Sequence, residues 1–248
     1  MESKFKTPTE TVELPSKGLL YPEGHALSAG TVEMKYMTAK EEDILTNQNY
    51  IRQGTVVDKL LQSLIVTEIN YDDLLIGDKN AIMIAARILS YGKDYEFDLG
   101  NGKQNIDLSI FEAKKLDENL YSKGKNEFSF LLPHTDNTVT FKLLTHGDEK
   151  KIEQEIKGLQ KINKDNITET TTRLKHMILS INGSYERSDV RDFVDNGLLA
   201  RDARALREHY NLVSPDLDLN YTYVDLDGAE KEAVLPITLN FFWPDAWI

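Results

Sequence analysis

Cysteine is absent from the 248-residue sequence. This absence excludes disulfides, thiol catalysis, iron–sulfur clusters and cysteine-ligated zinc. The five histidines all lie more than ten residues apart, so the H-x-x-x-H and H-E-x-x-H spacings of zinc sites are absent too. We therefore expect neither a metal nor a cofactor.

Long hydrophobic runs are also absent. The purest apolar run, residues 81–86, ends at Arg87 and falls far short of the ~20 residues that span a bilayer. Residues 1–6 are polar and lack the apolar core of a signal peptide. These features predict a soluble protein that makes no membrane contact and comes from a reducing compartment, the cytoplasm in which it is made.

Basic residues are scarce relative to acidic ones. The chain has 29 Lys and Arg against 41 Asp and Glu, which gives a formal net charge of −12. Such a chain repels phosphate backbones and anionic lipid surfaces, so we expect no nucleic-acid binding. The length predicts one or two domains, and a hydrophobic fraction of 40% is compatible with a folded core.

Recognisable catalytic motifs are missing. The sequence contains no G-x-S-x-G nucleophile motif and no G-x-x-x-x-G-K-[ST] phosphate loop. Carboxylate groups such as Glu41-Glu42-Asp43 and Asp72-Asp73 lie in acidic stretches, where we expect them to be solvated and unsuited to general acid catalysis. The sequence therefore predicts a protein that is not an enzyme.

The residue pattern predicts an α+β fold in which helices pack with short antiparallel β-hairpins, with no metal ribbon. Alternating apolar residues on either side of turn residues indicate three hairpins, at 95–108, 128–143 and 219–239. Asn101-Gly102 and Asp227-Gly228 are the turn signals of the first and third hairpins.

Capping residues predict where two of the helices begin. Thr38 and Glu41 have the spacing of a capping box. A buried helix is predicted over 79–91, with Asp78 as its N-cap and Gly92 as its stop. A composition shift near residue 145 sets a helical stretch apart from the hairpins.

We therefore divide the chain into three parts. Residues 1–11 are polar and predict a flexible arm. Residues 12–145 and 216–248 form the main α+β body. Residues 146–215 form a helical segment that is either part of this body or a subdomain of its own.

Two groups of arginines are candidate interaction residues. Arg87 lies among apolar residues, so it is expected to reach solvent, to pair with a nearby carboxylate, or to clasp a partner at an interface. Arg201, Arg204 and Arg207 are spaced three apart on a predicted helix. That basic stripe is either a solvated face paired with acidic neighbours, Asp202 and Glu208, or a docking face for an acidic partner.

The end of the sequence is rich in large apolar residues. Chain ends are normally polar, and an exposed aromatic end would promote aggregation. We expect this segment to dock either on the protein's own core or on another protein. The candidate residues are Phe241, Phe242, Trp243 and Trp247.

Four strings of the sequence, taken together and in order, resemble the T4-type baseplate protein family of contractile-tailed phages, which includes baseplate hub and hub-assembly proteins. The similarity covers residues 12–110 and 233–244, whereas 146–215 contribute little. The strings are Glu13–Gly18, Met37–Leu45, Leu75–Ala81 with Arg87 and Ser90–Gly92, and Phe241–Pro244.

The resemblance implies a non-enzymatic structural or assembly protein of the tail baseplate. Its expected partners are other phage tail or baseplate proteins, in a homo- or hetero-oligomer, and its expected location is the host cytoplasm during assembly and then the virion. The alternative is an assembly chaperone that is absent from the finished virion. Relatives often carry paired cysteines in the first and third hairpins, and this chain has none, so a metal role there does not carry over.

Overall fold

The computed structural model describes residues 7–98, 103–162, 168–224, 228–237 and 239–242. Over these ranges eight α-helices combine with short antiparallel sheets of two or three strands, which confirms the predicted α+β class. The helices are α1 Ala39–Leu45, α2 Gln48–Gln53, α3 Val56–Leu64, α4 Ile76–Tyr91, α5 His146–Ile162, α6 Glu169–Met177, α7 Arg187–Asp192 and α8 Ala200–Val213.

All strand pairings between the named strands are antiparallel. Within the described ranges the strands form four separate sheets, the pairs β1-β2, β3-β4 and β8-β9 and the triple β5-β6-β7. The strands are β1 Thr9–Glu13, β2 Thr31–Lys35, β3 Asp94–Asp98, β4 Lys103–Asp107, β5 Phe128–Leu131, β6 Thr138–Phe141, β7 Ile178–Ile181, β8 Asn220–Val224 and β9 Glu230–Val234.

The three predicted hairpins are present as β3-β4, β5-β6 and β8-β9. The turn residues Asn101, Gly102 and Asp227 lie outside the described residues. In the third hairpin the second strand, predicted over 233–239, lies at Glu230–Val234 instead. The chain continues instead to a 3-10 turn at Leu239–Phe242, which places two aromatic rings in the core.

The predicted flexible arm is wrong for its last residues. Thr9–Glu13 forms β1 and pairs with β2 in a five-residue register. Residues 1–6 lie outside the described residues. Ladder hydrogen bonds to β2 fix this segment although most of its side chains are exposed.

The helical segment 146–215 shares a sheet with the main body. Its strand β7 pairs with β6, with Val139 opposite Ile181. Buried side chains of α5, α6 and α8 belong to the same hydrophobic cluster as those of α3 and α4. The segment is therefore part of the body, because its apolar faces are buried against it.

Helix α4 begins at Ile76, three residues before its predicted start, and Asp78 is not its N-cap. Asp78 lies in the first turn and is fully buried. Its Oδ1 accepts the Ser16 N–H at 2.9 Å, and its Oδ2 accepts the hydroxyls of Ser16 at 2.7 Å and Tyr21 at 2.6 Å. The carboxylate therefore ties the N-terminal loop to α4, a contact between residues 62 apart in sequence.

Candidate interaction surfaces

Arg87 is buried in the structure, with 3% of its surface exposed. Its Nη1 donates to the Gly92 carbonyl at 3.0 Å and its Nη2 to the Asp94 carbonyl at 3.4 Å. The guanidinium also lies 5.2 Å from the ring centre of Tyr91 and 5.6 Å from that of Tyr95. Arg87 therefore connects the end of α4 to β3. The expectations that it reaches solvent or pairs with a carboxylate are wrong within the described residues, and a role at an interface stays a prediction.

The carboxylate of Glu41 was expected to be solvated, yet it is fully buried. It accepts the N–H and the hydroxyl of Thr38, the Lys35 ammonium at 2.7 Å and the Ser63 hydroxyl at 2.9 Å. Burial alone would raise the pKa of Glu41, but these hydrogen bonds outweigh burial and lower the pKa to about 2. Glu41 holds β2, α1 and α3 together. The hydrogen bond from the Thr38 N–H to the Glu41 carboxylate confirms the part of the predicted capping box that Glu41 supplies.

The basic stripe of α8 is exposed at all three positions, Arg201, Arg204 and Arg207. Arg204 pairs with Glu208 at 2.8 Å, as one of the two expectations proposed. The expected role of Asp202 as a partner of the stripe is wrong. Asp202 is fully buried and accepts the His134 N–H at 2.9 Å and the Thr135 hydroxyl at 2.8 Å, which fixes the β5-β6 turn against α8.

The aromatic end of the chain docks on the protein's own core as far as the structure describes it. Phe241 is completely buried and Phe242 is 1% exposed. The Phe241 ring meets Tyr95 edge-on, with 4.9 Å between ring centres. Trp243 and Trp247 lie outside the described residues.

A groove of about 580 Å³ opens between the main body and the helical segment. It lies between the first turn of α4, one side of α6 and one side of α8, and residues 143–144 and 214–216 close it. Its floor is apolar and its side chains are largely buried. The floor residues are Leu75, Leu143, Leu144, Leu174 and Met177.

Backbone contacts fix the walls of this groove. The Leu144 N–H donates to the Tyr210 hydroxyl at 3.0 Å, and the Ile76 N–H donates to the Leu144 carbonyl at 3.3 Å. Gly77 lies so close to Pro215 that an added Cβ would be 1.8 Å from the Pro215 carbonyl oxygen. The groove is therefore preformed, and its shape depends on the glycine at 77.

Charged side chains surround the mouth of the groove. The cations are Lys114, Arg173 and Arg207, and the carboxylates are Glu149 and Asp216. Arg173 pairs with Glu149 at 2.6 Å, and this contact raises the pKa of Arg173. Among the lining residues that the structure describes, cations thus exceed carboxylates by one, in a chain whose net charge is −12.

A polar cluster lies beyond the Arg173–Glu149 pair, in a second concavity of about 420 Å³. Lys79 Nζ lies 2.6 Å from Asp58 Oδ1 and 3.2 Å from His146 Nδ1. Burial lowers the pKa of His146, and the neighbouring Lys79 lowers it further. A neutral imidazole that accepts from Lys79 connects α4 to the start of α5.

This cluster has no signal in the sequence, because its residues come from α3, α4 and α5. The groove has none either, since its lining is drawn from six separate stretches of the chain. Of the sequence-predicted site residues that the structure describes, only Arg207 lines the groove. Among the residues that the structure describes, no group of three or more His, Cys, Asp or Glu side chains is placed to hold a metal ion.

No helix in the described ranges is both long enough and apolar enough to cross a bilayer. No family model matches the chain, and comparison with curated proteins and with solved structures gives no match.

Proposed function

We propose that this protein is a non-enzymatic structural or assembly protein of a contractile phage tail baseplate, which acts through contacts with other tail or baseplate proteins. It is made in the host cytoplasm and is retained in the virion. The observation that supports this function is that the strings resembling the baseplate family lie side by side in the folded chain. The first three are joined by hydrogen bonds, and the described part of the fourth reaches the third through the ring of Tyr95.

Hydrogen bonds join the first three strings. Ser16 of the first string donates to Asp78 of the third through its N–H and its hydroxyl. Glu42 of the second string accepts the Tyr91 hydroxyl at 3.5 Å. These contacts connect the N-terminal loop and α1 to the two ends of α4.

The ring of Tyr95, which belongs to none of the strings, connects the fourth string to the third. The Arg87 guanidinium lies over the ring of Tyr95, and the Phe241 ring packs edge-on against the same ring. Buried, mutually packed residues of this kind specify a scaffold rather than a reaction. The residues that carry the resemblance therefore stabilise the fold. We expect a protein with this fold to act by binding other proteins through its surface.

The accessible surface fits work by binding. The groove between α4, α6 and α8 has an apolar floor and a charged mouth, an arrangement typical of protein contact sites. The buried charged groups Asp78, Glu41 and Arg87 all hold secondary-structure elements together. A transient assembly chaperone is the second candidate, because the same exposed groove could hold a partner and release it.

Quantitative mass spectrometry of the phage that encodes the chain tests both forms. Finished virions and sedimenting baseplate intermediates are analysed separately, with a known structural tail protein as the copy-number standard. A structural component occurs in finished virions at a fixed ratio to the standard, whereas a chaperone occurs in intermediates only. Absence from both fractions of a culture that expresses the protein would refute the proposed function.

A further inference from the structure

We propose that the groove between α4, α6 and α8 is a docking site for an acidic protein segment that inserts a large apolar side chain between its carboxylates. The groove has this chemistry whichever assembly the protein belongs to. Its two components, an apolar floor and a cationic mouth, each select one feature of the partner.

The floor selects the apolar side chain. It is made by Leu75, Leu143, Leu144, Leu174 and Met177, and its walls are fixed by the contacts of Tyr210 and Pro215. A preformed apolar concavity of about 580 Å³ accommodates a Leu, Phe or Trp side chain and leaves room for the adjoining backbone.

The mouth selects the carboxylates. Arg207 and Lys114 are exposed at the groove, and neither forms a salt bridge with another residue of the described ranges. Arg201 and Arg204 lie on the same helix but do not line the groove, and Arg204 is paired with Glu208. In a chain with a net charge of −12, this local excess of cations complements an acidic partner and disfavours a basic one.

A nucleic-acid occupant fits less well. Single strands bind on successive aromatic faces along a basic track, and Tyr210 is the one aromatic residue in the lining that the structure describes. The aliphatic floor instead favours a protein side chain, and a single-stranded oligonucleotide serves as the competing probe.

The test selects peptides from a random twelve-residue display library against the immobilised full-length protein. We expect the enriched sequences to carry Asp or Glu within a few positions of one Leu, Phe or Trp. Synthetic versions are then titrated by fluorescence anisotropy. Raising NaCl from 50 to 500 mM should weaken their binding, because exposed charge pairs are screened.

Charge reversal at the mouth identifies the site. Arg207→Glu and Lys114→Glu should each weaken binding by roughly fivefold or more, and peptides with Lys in place of their carboxylates should regain affinity for the Arg207→Glu protein. Arg201→Glu is the matched control, since it reverses an exposed charge on the same helix outside the groove, and it should change affinity less than twofold.

Four results would overturn the assignment: no enriched sequence, enriched peptides that lack carboxylates, binding that Arg207→Glu and Lys114→Glu leave unchanged, or an oligo-dT probe that competes with the peptides. Circular dichroism and thermal melts check that the variants are folded. The salt dependence of the wild-type protein tests the charge component without any substitution.

Discussion

The close approach of α4 to the segment before β8 gives the sharpest test of the fold, through the substitution Gly77→Ala. A methyl group at position 77 would lie 1.8 Å from the Pro215 carbonyl oxygen and 2.9 Å from the Asp216 Cα. Contacts this short cannot exist, so the backbone at Pro215 must move by more than an ångström.

Two opposing effects set the magnitude. Replacing glycine by alanine in a helix stabilises a protein by about 0.5–1 kcal/mol. Overpacking a fixed site costs about 1–3 kcal/mol, and here the displaced group is backbone on a wall of the groove. Subtracting the helix gain leaves a net loss of about 0–2.5 kcal/mol. Because the displaced group is backbone, we expect a loss of about 2 kcal/mol, near the upper end, which lowers Tm by roughly 4–8 °C in a domain of this size.

Gly158→Ala is the matched control. Gly158 lies within α5, and an added Cβ would meet no atom within 4 Å. It should raise Tm by roughly 1–4 °C through helix propensity alone. Differential scanning fluorimetry followed by urea titration gives both values. If Gly77→Ala is as stable as the wild type, or is stabilised like the control, the close approach at Pro215 is wrong.

Three further substitutions test the buried contacts. Glu41→Gln should lower the free energy of unfolding by about 1.5–3 kcal/mol at pH 7. Because the folded-state pKa of Glu41 is about 2, below its ordinary value of 4.5, the wild type should lose this stability as pH falls from 4.5 to 2. Urea midpoints that depend equally on pH in both proteins would contradict this role. Phe241→Ala should lower the free energy of unfolding by about 3–5 kcal/mol, because the ring is fully buried. The control Val234→Ala should lower it by less than about 0.5 kcal/mol, because Val234 is 62% exposed. Equal urea midpoints for the two variants would show that the ring is not in the core. Arg87→Lys should lower the free energy of unfolding by about 1–3 kcal/mol, because an ammonium cannot bond the Gly92 carbonyl and face the rings of Tyr91 and Tyr95 at once. A thermal melt unchanged from the wild type would refute that role.

Local sequence patterns correctly predicted the structural features that depend on residues close in sequence. The β3-β4 and β5-β6 hairpins follow from alternation and turn residues, and α4 ends at Tyr91 before Gly92 as predicted. The contact between Thr38 and Glu41 spans three residues, so a capping box was sufficient to predict it.

Long-range contacts account for the wrong predictions. Asp78 looks like a cap in sequence, but Ser16 and Tyr21 supply donors that hold it inside the first turn. Arg87 has two backbone carbonyls within reach because β3 folds back beside α4. No pattern in the sequence indicates either partner.

The groove depends on long-range contacts more than any other feature described above. Its lining comes from six stretches between Leu75 and Asp216, so no local pattern predicts it. The basic stripe of α8 was a partial signal: it identified Arg207, which lines the groove, together with Arg201 and Arg204, which do not. The fold decides which of three equivalent arginines faces a site.

Electron microscopy of a phage carrying a nonsense mutation in this gene tests the proposed function most directly. Lysates from a non-suppressing host are compared with those from a host that supplies the wild-type protein in trans. The proposed function predicts filled heads without complete contractile tails in the first lysate, and restored tails in the second. Intact, contractile tails on particles made without the protein would contradict both the structural and the chaperone form of that function.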